Sequence, residues 1–255
     1  MKLANIKANG PKEFNKEDVK SATILLLEEF GELHTRLMTE GKQSILLVLQ
    51  GMDASGKDGL VKDLFSQSSP AWVKVKAFKK PTTAEYRHDF LWRIKKEIAA
   101  PGMITVFNRS HYEDILVPSV YGFITQDIID KRYDEINAFE AELEKNGTRV
   151  VKCYLHIDFD KQEEKLLERV TDPSKYWKHN DSDWETRLKW SEFMAVYQQI
   201  FEKCSPIAWH IIPSNKNWVK LYTVLQIMIN TLLEMNPKYP ALVSERFGVA
   251  TGTAK

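Results

Sequence analysis

Lys57, Asp53 and Asp58 are the residues of this sequence whose types and spacing could do chemistry, and they share the stretch SILLVLQGMDASGKDG at 44–59. An apolar run of strand length, 45–49, gives way to a loop carrying Gly51, Gly56 and Lys57 and then to a helical pattern. Such a turn points its backbone N–H groups inward, the helix dipole favours an anion at the same place, and the lysine reaches the outer phosphates. The spacing from Gly51 to Gly56-Lys57 fits the Walker A form G-x-x-x-x-G-K-[ST] except at its last position, which is Asp58. A hydroxyl there ordinarily holds magnesium, so another group must hold the metal. Asp53 is the candidate, because a carboxylate inside a phosphate loop repels the ligand unless a divalent cation lies between them. The plain alternative is a strand-to-helix turn whose aspartates cap the helix. Strand and helix fall where the phosphate-binding form requires them.

A second buried-looking strand, 103–107, ends in NRSHYED. This is the position at which an aspartate commonly orients magnesium, and here it is Asn108. Arg109 beside it would face the crevice at the carboxyl ends of parallel strands, where a guanidinium neutralises charge on a transferring phosphoryl group. An ion pair with a nearby carboxylate is the structural alternative. His111 offers neither metal-ligand spacing nor the partners of a serine or cysteine triad. Lys74, Lys76, Lys79, Lys80, Arg87, Arg93, Lys95 and Lys96 crowd one segment densely enough to line a groove for a polyanion. They also fit a solvated strand edge and helix face. Lys79 and Lys80 stand out because they follow a strand. The segment 172–183, DPSKYWKHNDSD, is rich in turn formers and carries Lys175, Trp177 and Lys178.

These groups need a scaffold, and the apolar periodicity supplies one. Val19, Ala22, Leu26, Phe30, Leu33 and Leu37 recur at helical spacing and predict an outer helix over 16–40. WVKVKAF at 72–78 alternates with period two, which predicts a strand near a sheet edge. Thr83 is the expected cap of a helix running to about Ala99. Charged 125–146 predicts a helix with Ile128, Ile129, Ile136, Phe139 and Leu143 on one side, in an insertion placed to cover the site as a lid, about 115–147. A strand at 149–157, a helix at 161–170, a long helix at 184–203, a strand at 208–212 and a closing helix at 218–233 complete the pattern. Strands alternating with helices after a phosphate loop imply a parallel sheet with helices on both faces, in one domain spanning 1–255. Residues 1–15 lack periodicity and read as a loose arm.

The chain of 255 residues carries a net charge of +1, which argues against a general affinity for nucleic acid or membrane. No stretch approaches the run of about eighteen apolar residues that a membrane span requires, and the start lacks the apolar core of a secretory signal, so a cytoplasmic location is expected. Cys153 and Cys204 have no C-x-x-C spacing and read as buried, inert thiols.

With GMDASGKDG, NRSHYED and DPSKYWK in view, the sequence resembles the polyphosphate kinase 2 family from about Ser44 to Pro240, where NPKYP looks like a family ending. The resemblance implies a P-loop, thymidylate-kinase-like α/β/α fold with a mainly parallel five-stranded sheet and a helical lid. It implies magnesium-dependent transfer of phosphoryl groups between inorganic polyphosphate and purine nucleoside mono- or diphosphates (AMP/ADP, GMP/GDP), in a homo-oligomer. Asp53, Lys57 and Arg109 would act at the transfer centre, with Asp53 the magnesium ligand. The phosphate-binding candidates are Ala54, Ser55, Gly56, Lys57, Asp58, Lys79, Lys80, Arg87, Arg169 and Lys178, and the nucleotide-binding candidates Asn108 and Glu113. Many members carry aspartate where this chain has Asn108. An ATP-dependent nucleoside or nucleotide kinase, which needs no long basic groove, and a non-catalytic nucleotide-binding regulator, which needs no acceptor site, share the same loop.

Overall fold

The architecture grows from the strand that feeds the phosphate loop. In the computed structural model, which describes residues 3–250, β1 (Ser44–Gln50) is buried along its whole length. It lies at the centre of a five-stranded sheet, between β3 (Ile104–Asn108) and β4 (Thr148–His156), with β2 (Val73–Ala77) and β5 (Trp209–Pro213) at the edges. All four pairings are parallel, and the register sets Leu49 beside Asn108 on one side and Cys153 on the other. The pleat divides β1 between two cores. Ile45, Leu47 and Leu49 pack with α1 (Lys16–Glu40), α2 (Lys57–Leu64) and α9 (Asn217–Met235). Leu46 and Val48 pack with α3 (Trp92–Lys95), α4 (Glu113–Tyr121), α5 (Gln126–Lys145) and α8 (Trp190–Lys203). Burying such side chains contributes about 1.5–3 kcal/mol each, so the carboxyl end of β1 is firmly anchored before the loop begins. The remaining helices, α6 (Phe159–Thr171) and α7 (Asp181–Leu188), follow β4.

Several expectations need correction. No helix spans 83–99. A 3-10 turn, Glu85–Arg87, opens on Thr82, whose hydroxyl accepts from Glu85 N at 3.3 Å while the Glu85 carboxylate accepts from Thr82 N at 2.7 Å. The chain is extended at His88, and the Asp89 carboxylate accepts from Leu91 N at 3.0 Å, a local turn that competes with helix. The helix expected over 184–203 is two, α7 and α8, parted at Lys189.

Of the loose arm expected over 1–15, residues 1 and 2 lie outside the described residues, and the stretch from Leu3 to Ala8 is docked. Leu3 and Ala8 are buried, Leu3 N donates to Gln198 Oε1 at 2.8 Å, and the Ala8 carbonyl accepts from Asn215 N at 3.1 Å. These are mainly backbone bonds, which leave no periodic trace in sequence. The stretch 115–147 is α4 and α5, and α5 buries Ile129, Tyr133, Ile136 and Phe139 against the sheet. The segment that reaches the cleft at the phosphate loop as an overhang is 173–186, through Lys175, Lys178, Asn180, Ser182, Asp183 and Thr186. A short antiparallel hairpin, β6 (Leu242–Ser244) and β7 (Gly248–Ala250), follows α9. Both cysteines are free and buried, their thiols pushed up to about 12 by burial.

Candidate active site

The loop between β1 and α2 takes left-handed or otherwise positive φ at Gly51 (152°), Ala54 (62°) and Gly56 (88°). At Gly51 a β-carbon would lie 2.8 Å from the Leu155 carbonyl, so glycine there answers both conformation and a close approach of β4. Side-chain donors take up the loop's carbonyls. Lys57 Nζ donates to Gly51 O at 2.8 Å and Met52 O at 3.2 Å, drawn into the loop it follows. Gln162 Nε2, from fully buried α6 side chain, donates to Asp53 O at 3.1 Å. Lys220 Nζ, from α9, donates to Ser55 O and Gly56 O, each at 3.1 Å. No side chain caps α2, so its first N–H groups are left to a ligand in the cleft that Gly56, Lys57, Asp58 and Gly59 line. Ser55 is fully buried and offers the cleft no side chain.

Two strand ends meet at this loop. Arg109 follows β3 with φ 61°, its N–H donating to Leu49 O at 3.0 Å, a left-handed turn that aims the guanidinium back over the loop. Its Nη2 donates to Asp53 Oδ1 in a very short ion pair, and Nη1 lies 3.6 Å from Glu113 Oε2. Glu113 first and Asp53 next hold the guanidinium more firmly protonated than usual, against the opposing effect of burial. Glu113 itself accepts from Gln50 Nε2 at 3.0 Å and stands behind Arg109, outside the cleft lining. Asn108 Nδ2 donates to Asp58 Oδ1 at 2.5 Å and reaches the cleft.

The cleft itself has a volume of about 860 Å³ and wraps the start of α2. Its described lining includes nine lysine and arginine side chains against five carboxylates, in a chain whose total charge is only +1. Lys79 and Lys80 reach it from the end of β2, and Lys165, Arg169, Lys175 and Lys178 from α6 and the overhang. Arg169 donates to Asp183 Oδ2 at 2.5 Å and to Lys178 O at 3.1 Å, tying α6 to the overhang. Burial, and then the nearby Asp53 charge, raise the Asp183 carboxyl. Burial lowers Lys57 to about 8, with Arg109 adding to the effect.

The basic segment divides. Lys74 and Lys76 share Glu97 at 2.9 and 2.6 Å, and buried Arg93 pairs with Asp114 at 3.0 Å. Arg87 is exposed on its 3-10 turn and does not line the cleft. Lys220, Gln162, Lys165 and Asp183 were not singled out by the sequence. For Lys220 a signal existed, a lone cation on the apolar stretch NWVKLYTVL.

Among the described residues no three His, Cys, Asp or Glu side chains gather as a metal cage. Magnesium does not need one, since it takes one or two carboxylates and completes its shell with phosphates and water. Asp53 and Asp58, both lining the cleft beside the loop, fit that habit.

The family model described as Polyphosphate kinase 2 matches residues 13–240. The AMP/ADP-polyphosphate phosphotransferase of Meiothermus ruber is 37% identical over 89% of this chain and 86% of its own length. The ADP-polyphosphate phosphotransferase of Rhodopseudomonas palustris is 32% identical over 86% of this chain and 81% of its own. Among solved structures, that of Polyphosphate Kinase 2 from Arthrobacter aurescens superimposes with a TM-score of 0.93 at 36% identity, covering 96% of this chain and 89% of that one.

Proposed function

The chain belongs to the polyphosphate kinase 2 family, and from that premise we propose that it moves phosphoryl groups between inorganic polyphosphate and purine nucleoside mono- and diphosphates, AMP and ADP or GMP and GDP. The observation that carries the reading is the excess of cationic side chains along one cleft that begins at the phosphate loop and continues past Lys79 and Lys80. An ordinary ATP-dependent kinase has one triphosphate to neutralise. A chain of phosphates, each with its own charge, matches a longer row of cations.

In the synthetic direction an oxygen of the acceptor's terminal phosphate attacks the terminal phosphorus of polyphosphate. The bridging P–O bond breaks, and the shortened polyphosphate leaves with the electron pair. No protein nucleophile is required, so the residues work by position and charge. The loop amides and Lys57 hold phosphate oxygens. Arg109, fixed by Glu113 and reaching Asp53, stands where charge develops on the transferring group. Asp53, with Asp58 beside it, would hold magnesium, which supplies neutralisation of the phosphate oxygens. Lys79, Lys80, Arg169 and Lys178 track the polyanion, and Asn108 meets the nucleotide. No helix among the described residues is long and apolar enough to cross a membrane, in keeping with a cytoplasmic enzyme, here read as a homo-oligomer.

The test is incubation of AMP, ADP, GMP or GDP with magnesium and polyphosphate, with no ATP added, followed by nucleotide analysis. Formation of the next higher phosphate supports the reading. Turnover only with ATP as donor overturns it in favour of a nucleotide kinase.

A further inference from the structure

α9 turns a row of apolar residues to the sheet: Val224, Leu225, Met228 and Leu232 are all buried in the core beneath it. Lys220 lies among them at 2% exposure, its ammonium carried under the phosphate loop. Nζ donates to Ser55 O, Gly56 O and Asn217 Oδ1 at 3.1, 3.1 and 3.2 Å, which uses all three of its protons. A β-carbon at position 56 would lie 2.2 Å from this nitrogen. A side chain at position 56 would push the ammonium off the loop carbonyls, and the φ of 88° there independently favours glycine.

Such a charge is costly to bury without a counter-ion. Among the described residues Lys220 makes no ion pair, and its surroundings are mixed. Lys165 on α6 and Lys57 on α2 oppose its charge, and Asp63 on α2 favours it, with burial the largest effect, so that it is lowered to about 7. Yet Lys220, Lys165 and Asp63 all line the cleft. An anion on the loop's outer side would supply the missing compensation.

We propose that Lys220 is a positioning residue of the phosphate loop: it draws the Ser55 and Gly56 carbonyls inward, so that the amides opening α2 face the anion, and places a buried positive charge behind the bound phosphate. The proposal rests on the phosphate-binding reading of the loop and extends it to a residue of the last long helix. It also predicts proton uptake. Around pH 8 much of the free protein carries Lys220 neutral, and phosphate binding draws the proton on.

The experiment compares wild type, Lys220→Met and Lys220→Arg in calorimetric titrations with tripolyphosphate and separately with ATP, in buffers of different ionisation enthalpy at pH 8. Loss of charge-assisted hydrogen bonds to the loop should weaken binding by about tenfold or more in Lys220→Met. Lys220→Arg should recover part of the affinity but take up fewer protons than wild type, because its guanidinium is already charged. Turnover should follow affinity in both. Lys220→Met that melts earlier yet binds both ligands as wild type does overturns the proposal, as does proton uptake unchanged in Lys220→Arg, which remains decisive should the methionine variant not fold. Wild type that binds ATP but not tripolyphosphate removes the polyphosphate reading and leaves ATP to report on Lys220. Wild type that binds neither removes both.

Discussion

The cleft has two walls built on different principles. On one side the phosphate loop is held by buried donors that act on its main chain: Lys57, Gln162 and Lys220 take carbonyls from Gly51 to Gly56, and β1 beneath is buried throughout. On the other, the overhang of 173–186 is held to α6 chiefly by charged side chains: Arg169 pairs with Asp183 and also reaches Lys178 O, and half-exposed Lys175 pairs with Glu168 and Asp172. Of these, the Lys175 pairs are of the exposed kind that contribute about 0–1 kcal/mol, against several for a strand's worth of buried apolar side chains, while Arg169 and Asp183 are largely buried. Trp177 in the overhang is 78% exposed, whereas Leu49 at the end of β1 is not exposed at all. Under the proposed function, the wall that would present amides at fixed positions is the buried one, and the wall that substrates would pass is held by charged side chains.

The sharpest way to break this comparison is at the point where β3 meets the loop. Arg109→Lys keeps a positive charge but loses the fork that joins Asp53 and Glu113, and turnover should fall by about 10²–10³ with little change in KM. A near-normal kcat would make Arg109 a structural tether. Asp53→Asn belongs with it: a loss of similar size is expected, with a higher magnesium concentration for half-maximal rate, and Asp58→Asn should do less. If a magnesium titration shows the larger defect in Asp58→Asn, the two carboxylates exchange roles.

Next in size is the entrance. Lys79 and Lys80 are exposed and line the cleft, so their double alanine variant should raise KM for polyphosphate by about tenfold and flatten its salt dependence by up to about one unit of slope per lysine. KM for the nucleotide should hold. Equal loss for both substrates would mean that one path serves both.

The buried wall makes a claim about pH. Lys220 is lowered to about 7 in the folded chain, against 10.5 for an ordinary lysine. Between these values the unfolded chain holds the proton and the folded chain does not, so this residue's contribution to stability rises with pH. In urea titrations at pH 7 and pH 9, wild type should gain about 2 kcal/mol relative to Lys220→Met. A difference that shrinks with rising pH would contradict the buried, unpaired ammonium.

The smallest effect belongs to the tether. Lys175→Ala removes pairs with Glu168 at 2.9 Å and Asp172 at 3.2 Å that are largely exposed, and should change stability by less than about 1 kcal/mol. Limited proteolysis within 173–186 should nonetheless speed up. Unaltered cleavage would show the overhang to be as firmly fixed as the loop.

The amino-acid sequence by itself determined the parts of the site that are local in the chain. A strand, a loop with glycines at 51 and 56 and a helix start fix where a phosphate would bind under the proposed function, because backbone conformation and the exposed N–H groups of a helix follow from neighbouring residues. The end of β3 was legible for the same reason, and so were the five strands and their parallel direction, since apolar runs alternating with helical patterns leave few other folds; their order, with β1 at the centre, was not. The exceptions were local turns, such as the one at Asp89, that outcompeted a helical pattern. Tertiary structure alone decided which long-range partners complete the loop. Lys220 reaches Ser55 from 165 positions away, Gln162 reaches Asp53 from 109, and Arg109 meets Asp53 across 56. It also decided which members of a uniform basic segment remain available, since Lys74 and Lys76 are taken by Glu97 while Lys79 and Lys80 face the cleft. A lysine reads the same in sequence whether it is solvated, paired or buried. What distinguishes these states is the distance to a partner set by the packing of separate elements, and no local pattern encodes that.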